Sequence, residues 1–152
     1  MTAGCAGCSA STGPYLPSPE CSSAALVLAE REFSDQEYFA VHRLTVAAYT
    51  LQHPDSVSEH SLAVHLGALY GAVVLGLDVA ANGRRIRRLS AGLSRTPGPP
   101  LVRPAHRGEL TVTDVVAAGS AAEHCAAVRR WATAVLTPWR VENDLAVINR
   151  AV

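Results

Sequence analysis

The chain has 152 residues, of which 49% are hydrophobic and 17% charged, and its formal net charge is zero. This length is enough for one domain with its own core, and the composition excludes a disordered chain. The neutral total argues against a nucleic-acid binder, which usually carries a basic surface. All 13 basic residues are arginine, and together with the abundant alanine this is typical of a GC-rich bacterial genome.

Residues 1–18 are small and polar, so they predict no secretion signal. The longest apolar stretch, residues 62–77, contains a histidine and is shorter than the about 20 residues that span a bilayer. We therefore expect a cytoplasmic protein with no membrane partner. In that compartment cysteines stay reduced, and a CxxC motif indicates metal or redox chemistry.

Helix signals dominate the chain and predict an all-α fold, a single bundle of five to seven helices with an N-terminal metal-binding segment. We assign residues 1–21 to the Cys-rich segment and residues 22–152 to the helical domain. The helices are expected, in chain order, near residues 22–32, 34–53, 56–75, 84–94, 111–118, 120–136 and 137–151.

Three of these helices are predicted to begin at Ser-x-x-Glu capping boxes, namely Ser34–Glu37, Ser56–Glu59 and Ser120–Glu123. The fourth follows Asn82-Gly83, and Pro138 in a first turn is expected to start the last helix. Residues 96–108 are rich in Pro, Gly, Arg and His, which is typical of a long surface loop that contributes to a site.

Three cysteines near the amino end have the spacing of a zinc site. Cys5 and Cys8 place two thiolates on one tight turn, and Cys21 follows as a third ligand. The alternatives are an irregular amino end that happens to contain thiols, or a redox-active CxxC.

A structural zinc takes four ligands, so one more side chain is needed. We expect this ligand to be His53, which follows the second predicted helix. His42 is the alternative, and Cys125 is a third candidate.

The second predicted helix contains His42 and ends at His53, and both histidines are candidate site residues. His42 and Tyr49 share one helical face, whereas His42 and His53 lie about 16 Å apart along the axis and cannot bind one ion. His65 on the next helix could face His42 and form a metal or acid/base pair. A simpler interpretation makes His53 a helix cap and His42 a hydrogen-bonded core residue.

The sequence resembles a family of uncharacterised bacterial helical proteins. The matching parts are Cys5, Cys8, Cys21, the helix from Val41 to Pro54 that ends in Leu-Gln-His-Pro, His65-Leu66, the segment 110–115 and Trp131. The resemblance implies the helical fold and the importance of these residues, without an activity. Some relatives carry an acid where this chain has Ala47, which weakens any mechanism that uses a carboxylate there.

These patterns predict a small, zinc-stapled helical protein that binds an unknown small molecule or protein, with no oligomeric state specified. The alternative is a metal- or histidine-dependent enzyme of bacterial specialised metabolism. Its catalytic candidates are His42, Tyr49, Gln52 and His65, beneath the loop 96–108. The basic run 84–88 is either a phosphate- or nucleic-acid-binding patch or, more simply, a solvated helix face.

Overall fold

The computed structural model describes residues 17–145 and residue 148. All regular elements in this part of the chain are helical, which confirms the predicted all-α fold of five to seven helices. They are α1 (Pro19–Ser34), α2 (Gln36–Phe39), α3 (His42–Gln52), a 3-10 turn (Pro54–Ser56), α4 (Glu59–Val73), α5 (Val79–Arg95), α6 (Val112–Val116) and α7 (Ala121–Glu142).

Helices α3, α4 and α7 contribute most of the buried hydrophobic residues of the core. Helix α3 packs against α4 and α7, α4 also packs against α5 and α7, and α1 covers α2 and α6. The largest fully buried side chains are Trp131, Trp139, Leu28, Leu51, Leu62, Leu66, Leu69 and Leu89. Among the described helices there is none with the length and apolar character needed to cross a membrane.

Side-chain caps set where the helices begin. Ser120 caps α7, as predicted, but α4 is capped by Ser58 and not by Ser56. The reason is that the Ser56 hydroxyl donates to the His53 carbonyl inside the 3-10 turn. Helix α5 starts earlier than predicted, because the Asp78 carboxylate accepts a hydrogen bond from the Ala81 amide.

The predicted helix over residues 34–53 is in fact two helices. Asp35, and not Ser34, caps α2. Val41 then has φ −107° and ψ 7°, which is outside the helical region, and α3 starts afresh at His42. This corner brings the Phe39 ring onto the His42 ring, where the two stack with centroids 5.1 Å apart.

The predicted helix break at Pro138 is wrong, because α7 runs through it without interruption. Proline has no amide hydrogen for the carbonyl of Ala134, four residues earlier. The chain at Gly108, with φ +99°, approaches that carbonyl so closely that a Cβ would lie 2.8 Å from its oxygen. The loop before α6 therefore packs onto the position in α7 that proline leaves without a backbone donor.

Candidate functional site

A buried carboxylate lies at the centre of the candidate site. The buried face of α1 consists of Cys21, Ala24, Leu28 and Glu32, which recur every three or four residues. Glu32 therefore occupies a core position, and only 1% of it is exposed. A carboxylate in such a place must be hydrogen-bonded or paired, since the loss of its water is costly.

Three side chains from two other helices bind this carboxylate. The Thr45 hydroxyl donates to Oε2 of Glu32 at 2.6 Å. His42 Nδ1 lies 3.2 Å from Oε1, and His124 Nε2 lies 3.2 Å from Oε2. Because an ionised carboxylate only accepts hydrogen bonds, both imidazoles must donate through these nitrogens. We call Glu32, His42, Thr45 and His124 the Glu32 cluster.

This arrangement fixes the tautomers of the two imidazoles in different surroundings. The proton of His42 lies on Nδ1, so Nε2 is the nitrogen that can act on a ligand, and 24% of its side chain is exposed. His124 is fully buried, and its Nδ1 has no hydrogen-bond partner in the described part of the chain. The Tyr38 ring contacts the His124 ring edge-on at 5.1 Å.

An apolar groove of about 430 Å³ opens between α1 and α3, directly over the Glu32 cluster. It is lined by Ser22, Ala25, Leu26, Ala29, Glu32, His42, Thr45, Val46 and Tyr49. Near it, Leu26 is 71% exposed, and so is 70% of Phe33, whose ring meets the His42 ring at 4.6 Å. The groove thus combines an apolar wall with one ionisable cluster, which is typical of a small-molecule site.

The structure separates the sequence-predicted catalytic candidates. His42 and Tyr49 line the same groove. His65 lies on α4, and none of the hydrogen bonds or ring contacts found for His42 involves it. Burial, and then the charge of Arg43, lower the pKa of His65. The expected pair of His42 and His65 is therefore not formed.

Gln52 does not line the groove and is fully buried. Its amide nitrogen donates to the carbonyls of Arg107 at 3.1 Å and Leu110 at 2.7 Å. Its amide oxygen accepts from the Trp131 indole at 3.0 Å. We call Gln52, Arg107, Leu110 and Trp131 the Gln52 cluster. Its hydrogen bonds hold the loop before α6 against the core.

The loop 96–108 does not cover His42. Its Arg103 pairs with Asp55 at 2.9 Å and with Glu59 at 2.8 Å. The Val102 backbone exchanges hydrogen bonds with the Asn143 side chain. The loop therefore packs against the 3-10 turn, the start of α4 and the end of α7, and none of its residues lines the groove at His42.

Only part of the predicted zinc site can be located, because Cys5 and Cys8 lie outside the described residues. Cys21 is fully buried in the first turn of α1 and is disulfide-bonded. Cys125 is a free thiol that contacts the Glu37 carbonyl at 3.4 Å. Within residues 17–145, no three His, Cys, Asp or Glu side chains are grouped so as to hold a metal ion.

His53 is fully buried where α3 ends. Its Nδ1 lies 2.8 Å from the Tyr49 carbonyl and must donate to it, and its ring lies 4.4 Å from the Tyr49 ring. Burial lowers the pKa of His53, the backbone hydrogen bond opposes this effect, and the charge of Arg107 adds to it. The side chain is thus held neutral, in the form that a metal ligand needs.

The basic run 84–88 lies on α5, where Arg84, Arg87 and Arg88 are at helical spacing and share one face. Arg85 is buried and donates to the Gly67 carbonyl at 2.8 Å, whereas Arg84, Arg87 and Arg88 are exposed. One of the four guanidinium groups is therefore used for helix packing. The other three remain exposed, so the phosphate-binding patch that the sequence suggested stays a prediction that rests on three arginines.

Two residues of the Glu32 cluster were not singled out by the sequence motifs. Glu32 stands in an Ala/Leu stripe at helical spacing, and His124 precedes Val128 and Trp131 on the buried face of α7. The available signal was an ionisable residue at a core position of an amphipathic helix. Which residues complete the cluster depends on how α1, α3 and α7 pack.

The chain belongs to the family of unknown function DUF5946, whose model matches residues 3–140. This agrees with the resemblance to an uncharacterised family. Searches of curated proteins and of solved structures find no match to the chain.

Proposed function

We propose that this member of DUF5946 binds a small apolar molecule in the groove between α1 and α3 and acts on it through His42 as a general base. One observation carries the proposal. His42 Nδ1 is bonded to a fully buried carboxylate, in a wall that is otherwise apolar. This pairing is the arrangement that holds an imidazole ready to accept a proton at Nε2.

The proton transfer follows from the tautomer of His42. A water molecule in the groove would give its proton to Nε2 as its oxygen bonds to the carbonyl carbon of an ester. The imidazolium formed in this step returns the proton to the departing alkoxide oxygen when the ester C–O bond breaks. The resulting imidazolium is stabilised by the negative charge of Glu32, which keeps its hydrogen bond to Nδ1. Apolar walls strengthen this interaction, because they lower the local dielectric constant.

Thr45 and His124 serve as positioning residues in this proposal. Both donate to Oε2 of Glu32, so that Oε1 points at His42. The stacked Phe39 ring restricts the imidazole further. Pre-orientation of this kind removes much of the entropic cost of a proton transfer.

The test uses 4-nitrophenyl hexanoate, an apolar ester whose hydrolysis releases a coloured product. The wild-type protein should hydrolyse it about a hundredfold faster than His42→Gln, which is the lower range for general-base catalysis. Glu32→Gln should lower the rate by at least about tenfold, since the imidazolium loses its counter-charge.

The matched control is His60→Gln, because His60 is an exposed imidazole outside the groove. Its rate should equal that of the wild type. Equal rates for His42→Gln and the wild type, or an equal loss in His60→Gln, would contradict the proposal. Circular dichroism of each variant distinguishes a lost reaction from a lost fold.

We also propose, from the cysteine spacing, that Cys5, Cys8, Cys21 and His53 hold a structural zinc ion and that the protein is cytoplasmic. The neutral state of His53 supports this, and so does its bond from Nδ1 to a carbonyl, which orients Nε2 as in many zinc ligands. A disulfide at Cys21 is the competing oxidised state, since a thiolate ligand and a disulfide exclude each other.

Metal analysis of protein purified under reducing conditions tests the zinc site. Stoichiometric zinc is expected in the wild type and in the control Cys125→Ser, and it should be lost in Cys8→Ser together with stability. A wild-type protein without zinc, or equal zinc in Cys8→Ser, would refute this part of the proposal. The esterase assay does not depend on that outcome.

A further inference from the structure

A second cavity, of about 420 Å³, lies where the corner between α2 and α3 meets α4, α5 and α7. Its apolar wall comes mainly from Val41, Leu44, Val73, Leu77 and Val79. It shares no lining residue with the groove over the Glu32 cluster. The two cavities are therefore separate, although His42 and Arg43 are neighbours in the chain.

Two guanidinium groups line this second cavity, Arg43 from α3 and Arg129 from α7. Neither side chain forms a salt bridge or a side-chain hydrogen bond with any described residue. This contrasts with Arg103, which binds two carboxylates on the other side of the bundle. Two positive charges beside apolar surface, which outnumber the one carboxylate that the described residues place in the wall of this cavity, favour an anionic ligand.

The carboxylate in this wall forms no salt bridge with either guanidinium group. Asp78 lines the same cavity, but its Oδ1 accepts the Ala81 amide and caps α5. Asn82, the other polar residue on this helix, donates to the Ala68 carbonyl and packs against Gly71. Both side chains are therefore used to shape the wall.

We propose that this cavity binds a small amphipathic carboxylate, with its hydrocarbon chain against the apolar wall and its head between Arg43 and Arg129. A guanidinium group can bind a carboxylate through two parallel hydrogen bonds, so two such groups can hold one head group. The hydrocarbon chain adds about 0.8 kcal/mol per buried methylene. The site is independent of the proposed reaction at His42.

The pKa of His65 can report whether a ligand occupies the second cavity. Burial is the main cause of its lowered pKa, and the charge of Arg43 is the second. A bound carboxylate would offset the charge of Arg43, so the pKa of His65 should rise when the ligand binds. NMR of the imidazole carbon-bound protons can follow this titration in the intact protein.

The experiment measures decanoate binding by calorimetry, below the concentration at which decanoate forms micelles. Arg43→Gln and Arg129→Gln should each weaken binding by about tenfold, as expected for the loss of one charge-assisted hydrogen bond. Arg87→Gln, an exposed control on α5, should bind as the wild type does. Both cavity arginines are exposed, so the variants should keep the wild-type fold.

Three further measurements decide the chemistry. Decanol that binds as tightly as decanoate would overturn the role of the arginines, and so would unchanged binding in both variants. Vesicles of anionic lipid that bind while free decanoate does not would show a membrane surface and would also overturn the proposal. A rise in the pKa of His65 in the wild type but not in Arg43→Gln supports the placement of the head group.

Discussion

The Glu32 cluster and the Gln52 cluster are both buried polar networks that include residues of α3. They differ in whether their hydrogen-bonding atoms all have partners. In the Gln52 cluster, both amide hydrogens and the amide oxygen of Gln52 are bonded to protein groups. In the Glu32 cluster, His42 lines a groove and His124 keeps a buried Nδ1 without a partner among the described residues.

This difference distinguishes a network with a structural role from a network that can take part in a reaction. Hydrogen bonds among neutral amide, indole and backbone carbonyl groups that are all satisfied stabilise one conformation and leave nothing for a ligand. A charged network that lines a cavity can act on a bound molecule. Gln52 is thus a structural residue, although the sequence suggested it as a catalytic candidate beside His42.

The largest expected effect is on the Gln52 cluster. Gln52→Ala leaves the Trp131 indole and the carbonyls of Arg107 and Leu110 without partners, and each such group costs about 1–3 kcal/mol. We expect the free energy of unfolding in urea to fall by about 4 kcal/mol. Gln36→Ala, on the exposed face of α2, should change it by less than about 0.5 kcal/mol. A loss below about 1.5 kcal/mol in Gln52→Ala would contradict the structural role.

The next effect concerns the loop that the Gln52 cluster holds. Gly108→Ala should lower the free energy of unfolding by about 2–3 kcal/mol, because φ is +99° and the new Cβ meets the Ala134 carbonyl. Gly98→Ala in the same loop meets only the Leu93 side chain, at an ordinary 3.8 Å. Thermal unfolding of the two variants should differ accordingly, and equal melting temperatures would show that the loop is not held against α7.

Glu32→Gln should destabilise less, by about 1–2 kcal/mol, even though it removes a buried charge. An amide can donate to one neighbour and accept from another, and either imidazole can change its tautomer to match. The ¹⁵N spectra of His42 and His124 should therefore show that at least one of the two rings moves its proton to the other nitrogen. Glu30→Gln, an exposed control on α1, should leave those spectra unchanged. Unchanged spectra of both rings in Glu32→Gln would mean that Glu32 does not fix their tautomers.

The smallest expected effect is on the pH dependence of stability, and it concerns His65, an imidazole without a carboxylate partner within the residues described. The pKa of His65 is lowered in the folded state, so the unfolded state takes up a proton at a higher pH than the folded state does. Stability should therefore fall as the pH decreases below about 6.5.

His65→Gln should reduce this fall between pH 7 and pH 5 by at most about 1 kcal/mol, since the side chain is only partly buried. Arg43→Gln should act in the same direction with a smaller change, because Arg43 contributes to the lowered pKa. Urea unfolding at several pH values measures both effects. A steeper fall in His65→Gln than in the wild type would show that the sign is wrong.

The sequence by itself determined the helical class, the end of α3 before Pro54 and the start of α7 at Ser120. These features depend on local physics, namely side-chain caps and the helix-breaking geometry of proline. It also showed that His42 and Tyr49 share a face, because helical spacing alone decides that.

Tertiary structure decided which polar residues meet. Pro138 stays inside α7, and Gly108 packs on the Ala134 carbonyl, for which proline has no amide hydrogen. Glu32 meets His124 across 92 positions of sequence, and Gln52 meets Trp131 across 79. No local spacing encodes such pairs, since they arise only when the apolar faces of three helices are buried together.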